Sequence, residues 1–178
     1  MVCALGVFGH AGLALSAPAL PCRTTPPFGS RSAVVAHGRL AGIGAWFESA
    51  CAGGGSLRLA IGPGTSSSDA WGFAIQAPAP NKRTPIVPTI GYAGTSTAEH
   101  FLIAATDPSV RRVEVQFTKG PTLFAATRAA PATARARSAG LRNFRFVAVF
   151  YSGSRTLTSM TCLGVDGRTI FRVPGTYQ

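Results

Sequence analysis

Hydrophobic and polar side chains trade places at every step through residues 112–117, where Val113, Val115 and Phe117 alternate with Arg112, Glu114 and Gln116. A repeat of two is the spacing of a β-strand with one face in a core and the other in water. Lys119-Gly120 then supplies a turn, and residues 122–127 return as the hairpin partner. Leu57, Leu59 and Ile61 alternate with Arg58 and Ala60 in the same way. Residues 144–151, rich in aromatic and β-branched side chains, form the strongest predicted strand. Asp166-Gly167 is the clearest two-residue hairpin signal, flanked by strands over 156–165 and 168–173. Residues 90–92 are expected to pair with 101–105. Val34-Val35 and residues 40–47 give a first strand or strand pair, and 71–76 a further strand that stops at Pro78-Ala79-Pro80. Residues 51–56 and 62–69 read as glycine-rich loops, and 81–88 as a polar connection.

Helical spacing is confined to residues 129–139, where Pro131 interrupts it and no apolar stripe develops. The segment 128–141 therefore reads as an Ala/Arg/Pro/Ser insert. Short strands spaced roughly 8–12 residues apart predict an all-β fold, a single antiparallel β-sandwich of immunoglobulin-like type over residues 33–178. Residues 1–32 precede it as a signal peptide or disordered leader.

The chain has 178 residues, enough for one domain with a real core. Only 13% of its residues are charged, yet the formal net charge is +11. Such a balance suggests a polyanionic partner. The excess is almost all arginine, since the only lysines are Lys82 and Lys119, and a GC-rich genome produces that bias through its codons. The scarcity of acids, six in all, contributes as much to the balance as the arginines.

Residues 2–17 are apolar and small apart from His10 and Ser16, too short for a bilayer span but the length of a signal-peptide core. Ala17-Pro18-Ala19 offers a cleavage site, although no Lys or Arg precedes the apolar run. Export to the medium or cell surface is the expectation, with a cytoplasmic protein the alternative. The cysteines are Cys3, Cys22, Cys51 and Cys162, and no Cys-x-x-Cys pair exists for structural zinc. In an exported chain Cys51 and Cys162 are the best-placed disulfide partners. Their bridge would close a loop of roughly 110 residues, worth about 4–5 kcal/mol in the chain-entropy view. The alternative is two buried free thiols.

Trp46-Phe47 before Cys51 and Gly53-Gly54-Gly55, then Pro108-Ser-Val110-Arg-Arg-Val113-Glu-Val115, the Phe-rich Phe144-Arg-Phe146-Val147, and a closing Asp166-Gly167-Arg168 hairpin form an ordered series. In this series the chain resembles uncharacterised exported β-sandwich proteins of GC-rich actinobacteria. It differs from them in carrying Thr106-Asp107 where they often place a glycine. The resemblance implies a secreted β-sandwich without catalytic residues.

Reactive constellations are sparse. Glu99-His100 with a nucleophile from Ser66-Ser67-Ser68 would be a hydrolase arrangement, but neighbours on a strand point to opposite faces and no Gly-x-Ser-x-Gly elbow is present. His37, His100, Glu48, Asp69 and Asp107 are the sensible metal ligands, without ligand spacing. The loops at 53–56 and 62–65 lack the Lys-Ser/Thr and helix that phosphate cradling requires. Residues 142–149 partly resemble an RNA-binding aromatic strand, but a core stripe of Phe144, Phe146 and Ala148 explains them more simply. No catalytic residue, cofactor, metal site or small-molecule substrate is predicted. What remains is Arg128, Arg135, Arg137, Arg142 and Arg145, a run without an acid. Either it is a solvated loop, or it binds an anionic polymer such as nucleic acid or cell-wall polymer, or an anionic membrane surface. The chain is thus expected to be a non-enzymatic structural or binding module.

Overall fold

Residues 101–106, Phe-Leu-Ile-Ala-Ala-Thr, are buried without a break, a pattern that no strand with a wet face can show. They decide the architecture. The computed structural model describes residues 33–40, 44–53, 56–64, 72–73, 77–92, 99–138 and 140–177. Along the chain come β1 (Ala33–Leu40), β2 (Gly44–Gly53), β3 (Ser56–Pro63), β4 (Gly72–Phe73), β5 (Ala77–Pro78), β6 (Ile86–Tyr92) and β7 (Glu99–Thr106). Then follow β8 (Arg112–Phe117), β9 (Leu123–Ala126), β10 (Arg128–Ala129), a short helix α1 (Ala134–Ser138), a 3-10 turn (Leu141–Asn143), β11 (Arg145–Ser152), β12 (Leu157–Leu163) and β13 (Thr169–Tyr177).

Among the described residues every strand pairing is antiparallel, and the strands make three sheets. The N-terminal sheet runs β1-β2-β3-β4, with β5 also on β3. The middle sheet runs β10-β11-β7-β6, and the C-terminal sheet β13-β12-β8-β9. Two apolar layers lie between them. In the first, Val35, Ala50, Leu57, Leu59 and Ile61 of the N-terminal sheet meet Phe101, Ile103, Ala105 and Phe146 of the middle sheet. In the second, Leu102, Ala104, Val147 and Val149 from the other face of the middle sheet meet Val113, Val115, Leu157, Met160 and Cys162. The expectation of an antiparallel all-β chain holds. The sheets number three and not two, because β7 and β11 are apolar on both faces and each face needs its own cover.

The predicted hairpins are present. β8 returns as β9 with Val115 opposite Leu123, around Gly120 at φ +87°. β12 returns as β13 around Gly167 at φ +76°, a left-handed backbone that favours glycine. Asp166 accepts the Arg168 amide at 3.0 Å and fixes that turn. β6 pairs with β7 as expected, Ile90 opposite Leu102. Gly91 lies opposite Phe101, and a Cβ there would stand 2.6 Å from the ring, so only glycine lets the aromatic lie across the neighbouring strand.

Four local expectations change. The stretch 81–88 is not wholly a connection, because β6 begins at the buried Ile86. Cys51 is not in a loop: β2 continues to Gly53, which pairs with Ser56 at the start of β3. Residues 129–139 do contain a helix, because Pro131 precedes it instead of interrupting it. Thr133 caps the helix, its Oγ1 accepting the Ala136 amide at 3.1 Å. The supposed insert also supplies core, since Ala136 and Leu141 are buried in the first apolar layer. Of the strand predicted over 71–76, only β4 lies among the described residues; the leader, with Cys3 and Cys22, lies outside them.

A strand buried on both faces makes a direct prediction about adjacent residues. Leu102→Ala and Ile103→Ala each open a hole in a different apolar layer, and each is expected to cost about 2–5 kcal/mol in urea unfolding. In a sheet with one wet face, one of the two would be close to neutral.

Candidate functional site

The arginine run starts on β10, at the edge of the middle sheet, and continues through α1 and the 3-10 turn, which pack against β1 and β2 of the N-terminal sheet. Arg128 stands on β10, Arg137 on α1 and Arg142 on the 3-10 turn, and all three side chains are exposed. No ion pair reaches any of the three among the described residues. The one ion pair found there joins Arg168 to Asp166 at 3.5 Å, both exposed in the β12–β13 turn. Two of the acids have local hydrogen-bond partners of their own. Asp107 accepts the Ser109 amide and hydroxyl at 2.9 and 2.6 Å, and Glu114 accepts the Gln116 side-chain amide at 2.8 Å. Arg135 belongs to α1 by its backbone, and its side chain lies outside the described set.

Arg145 departs from the sequence expectation. It is half-buried, and its Nε donates to Thr127 Oγ1 at 2.7 Å while its Nη2 donates to the Thr127 carbonyl at 2.6 Å. Thr127, itself buried, is the residue by which the chain crosses from the C-terminal to the middle sheet. Its hydroxyl donates to the Val110 carbonyl at 2.7 Å and its amide to the Arg111 carbonyl at 2.9 Å. Desolvation, aided by the nearby Arg111 charge, lowers the guanidinium pKa of Arg145. Arg145 is therefore a clamp on the crossover. Register separates it further from the anion candidates, since Arg128 lies opposite Phe146 and Arg145 opposite Ala129, on the other face.

The Cys51–Cys162 bridge is overturned, and of the alternative, two buried free thiols, only the Cys162 half holds. Cys162 is a free thiol buried in the second apolar layer, where desolvation raises its pKa to about 11. Cys51 is buried on β2 in a different sheet and is not free. The two are not bridged to each other, because β2 and β12 belong to the outer sheets on opposite sides of the middle one. His100 packs edge-on against Tyr151, its cross-strand partner, with ring centroids 5.5 Å apart. Ser66, Ser67 and Ser68 lie outside the described residues, and among those described no three His, Cys, Asp or Glu side chains converge as metal ligands. No helix among them is long and apolar enough to cross a membrane.

Two polar features escaped the sequence reading. On the outer face of the C-terminal sheet Gln116 is half-buried, accepting from Ser159 Oγ at 2.9 Å and from Arg172 at 3.3 Å. It joins three strands by side-chain bonds, and the alternation of residues 112–117 gave no sign of it. The other is Glu48. It is 0% exposed, and among the described residues neither carboxylate oxygen has a hydrogen-bond partner. It shares a strand face with Trp46, Ala50 and Ala52, which pack into the first apolar layer, and its cross-strand neighbours are Ala36 and Ile61. The signal was present in the sequence as a lone acid in phase with apolar residues. Burial without a partner pushes its carboxyl well above the usual carboxylate range.

Comparison with family models, with curated proteins and with solved structures finds no match to this chain.

Two outcomes follow from this geometry. Thr127→Val, which strips the crossover hydroxyl of its donor and acceptor roles while keeping its volume, is expected to lower stability by about 1–3 kcal/mol in denaturant titration. The second concerns pH. The folded state holds a proton on Glu48 at pH values where the unfolded chain, with an ordinary carboxyl near 4.3, has lost it. Stability from this group is therefore full below that value and falls as pH rises toward the raised folded-state pKa. Melting temperature should decline from pH 5 to pH 8 in the native protein, and Glu48→Leu should flatten the decline and raise stability at pH 8.

Proposed function

We propose that the protein is a non-catalytic, exported β-sheet binding module that holds an anionic polymer at the edge of its middle sheet. The observation that carries this reading is the set of exposed guanidinium groups of Arg128, Arg137 and Arg142 on three consecutive elements, without an ion pair among the described residues. Anion binding by such groups needs no catalytic geometry, only a rigid support and an absence of competing acids. The support is the apolar packing of Ala136 and Leu141 beneath them. The layered packing favours a place beside immunoglobulin-like sandwiches and other layered β binding modules. The apolar leader and the resemblance to exported actinobacterial proteins favour export, which mass spectrometry of the culture medium would test by locating an N-terminus near Leu20.

Arrays of phosphate, sulfate or carboxylate on a polymer share the chemistry that arginine recognises. Heparin, single-stranded DNA and vesicles containing anionic lipid separate the sources. Binding to at least one of them at 50 mM salt is expected, weakening steeply toward 200 mM through counterion release. The combined Arg137→Ala and Arg142→Ala variant should reduce both the affinity and the salt slope. Absence of binding to all three at low salt would remove this reading.

A further inference from the structure

Three edge strands of three different sheets converge on one cavity. β1 ends the N-terminal sheet, β10 ends the middle sheet and β9 ends the C-terminal sheet. The cavity they enclose has a volume of about 220 Å³, and its wall includes Ala36, Trp46, Ala126, Arg128, Phe146 and Ala148. Small side chains make the space. Alanine stands at positions 36, 126 and 148, where a leucine would fill it. The two aromatic walls are held in place: Trp46 lies against Gly38, where a Cβ would stand 3.0 Å from the indole, and contacts Phe150 at a ring-centroid distance of 5.1 Å. Phe146 is fully buried in the first apolar layer. An apolar cavity of roughly 150 Å³ suffices to bind a benzene ring, so this one has room for a ring with a substituent.

The single charge on the wall is Arg128, exposed and without an ion-pair partner among the described residues. Arg128 sits opposite Phe146 in register, so its guanidinium and that ring share one face of the middle sheet. Edge strands also carry main-chain N–H groups with no strand partner on one side. Thus the inner part of the cavity is apolar and aromatic, and its rim is cationic.

We propose that this cavity is a binding site for a small aromatic or compact apolar monoanion, the ring inserted between Trp46 and Phe146 and the carboxylate held at the rim by Arg128. An apolar body with one anionic head matches both halves of the wall. A cationic ligand would meet Arg128 with like charge, and a purely polar one would leave the aromatic walls dry and unmatched. This site stands apart from the polymer surface of Arg137 and Arg142 and shares only Arg128 with it.

The test uses the full chain with benzoate and the uncharged benzyl alcohol, read by amide chemical shifts and by calorimetry. Saturable benzoate binding is expected, with shifts concentrated at Ala36, Ala126 and Ala148, and benzyl alcohol binding at least fivefold more weakly. Arg128→Gln should weaken benzoate at least fivefold while leaving benzyl alcohol unchanged. Ala148→Leu, which fills the interior, should abolish both. Ala126→Leu does the same from the exposed rim and serves if the interior variant fails to fold. The Arg137→Ala and Arg142→Ala variant, aimed at the polymer surface, should bind benzoate as the native protein does, so the two readings fail separately. Benzoate binding that is absent, or that survives both leucine variants, would overturn the site. Equal affinity for the alcohol and the acid would overturn the assignment to an anion.

Discussion

The middle sheet has no wet face across its central strands, and the rest of the molecule is arranged around that constraint. Phe101, Ile103 and Ala105 project to one side of β7, Leu102 and Ala104 to the other, and all five are 0% exposed. At about 1.5–3 kcal/mol for each large side chain buried, neither face can be left uncovered. A sheet is recruited to each side, and the chain must then cross repeatedly between layers. It does so after β7, where Asp107 organises the turn and Val110 plugs the second apolar layer. It returns through Thr127 and leaves again after β11.

Crossovers between stacked sheets expose backbone polar groups to a dry interior unless each finds a partner. Thr127 and Arg145 meet that demand where β9 hands over to β10. One buried hydroxyl and one guanidinium tie Val110, Thr127 and the start of β11 together. A charge that the sequence offers as free surface is thereby tied, half-buried, to the crossover. Its neighbours Arg128, Arg137 and Arg142, whose elements lie at the periphery, remain available to solvent. Between Arg128 and Arg145 the distinction between surface and clamp is a matter of which face of the β10–β11 pair each occupies.

Strand identity was legible where bulky apolar side chains alternate with polar or small ones, even in β3 and β12, whose polar side chains are themselves buried. Residues 112–117, 57–61 and 156–173 alternate or carry a diagnostic turn, and β8, β3 and the β12–β13 hairpin lie where period-two reasoning puts them. The third layer was not legible, although its cause is visible in the letters 101–106. A run of six buried residues reads equally well as one strand of an ordinary core, and nothing local says how many sheets will cover it. The short helix was hidden because five residues cannot show a 3.6-residue period, and Thr133 was its only marker. Of the candidate site, the arginines were legible by type. Their division into clamp and surface, the cavity at the three edges and the orphaned carboxyl of Glu48 depend on long-range pairing that sequence spacing does not encode.

Native-state hydrogen exchange tests the central claim most directly, because it reads the stability of each strand separately. If the middle sheet is held between two apolar layers, the amides of β7 and β11 open only with global unfolding and exchange more slowly than those of the edge strands β1, β9 and β13. Exchange of β7 and β11 as fast as those edges, or through a sub-global opening in which either outer sheet stays protected alone, would contradict the account.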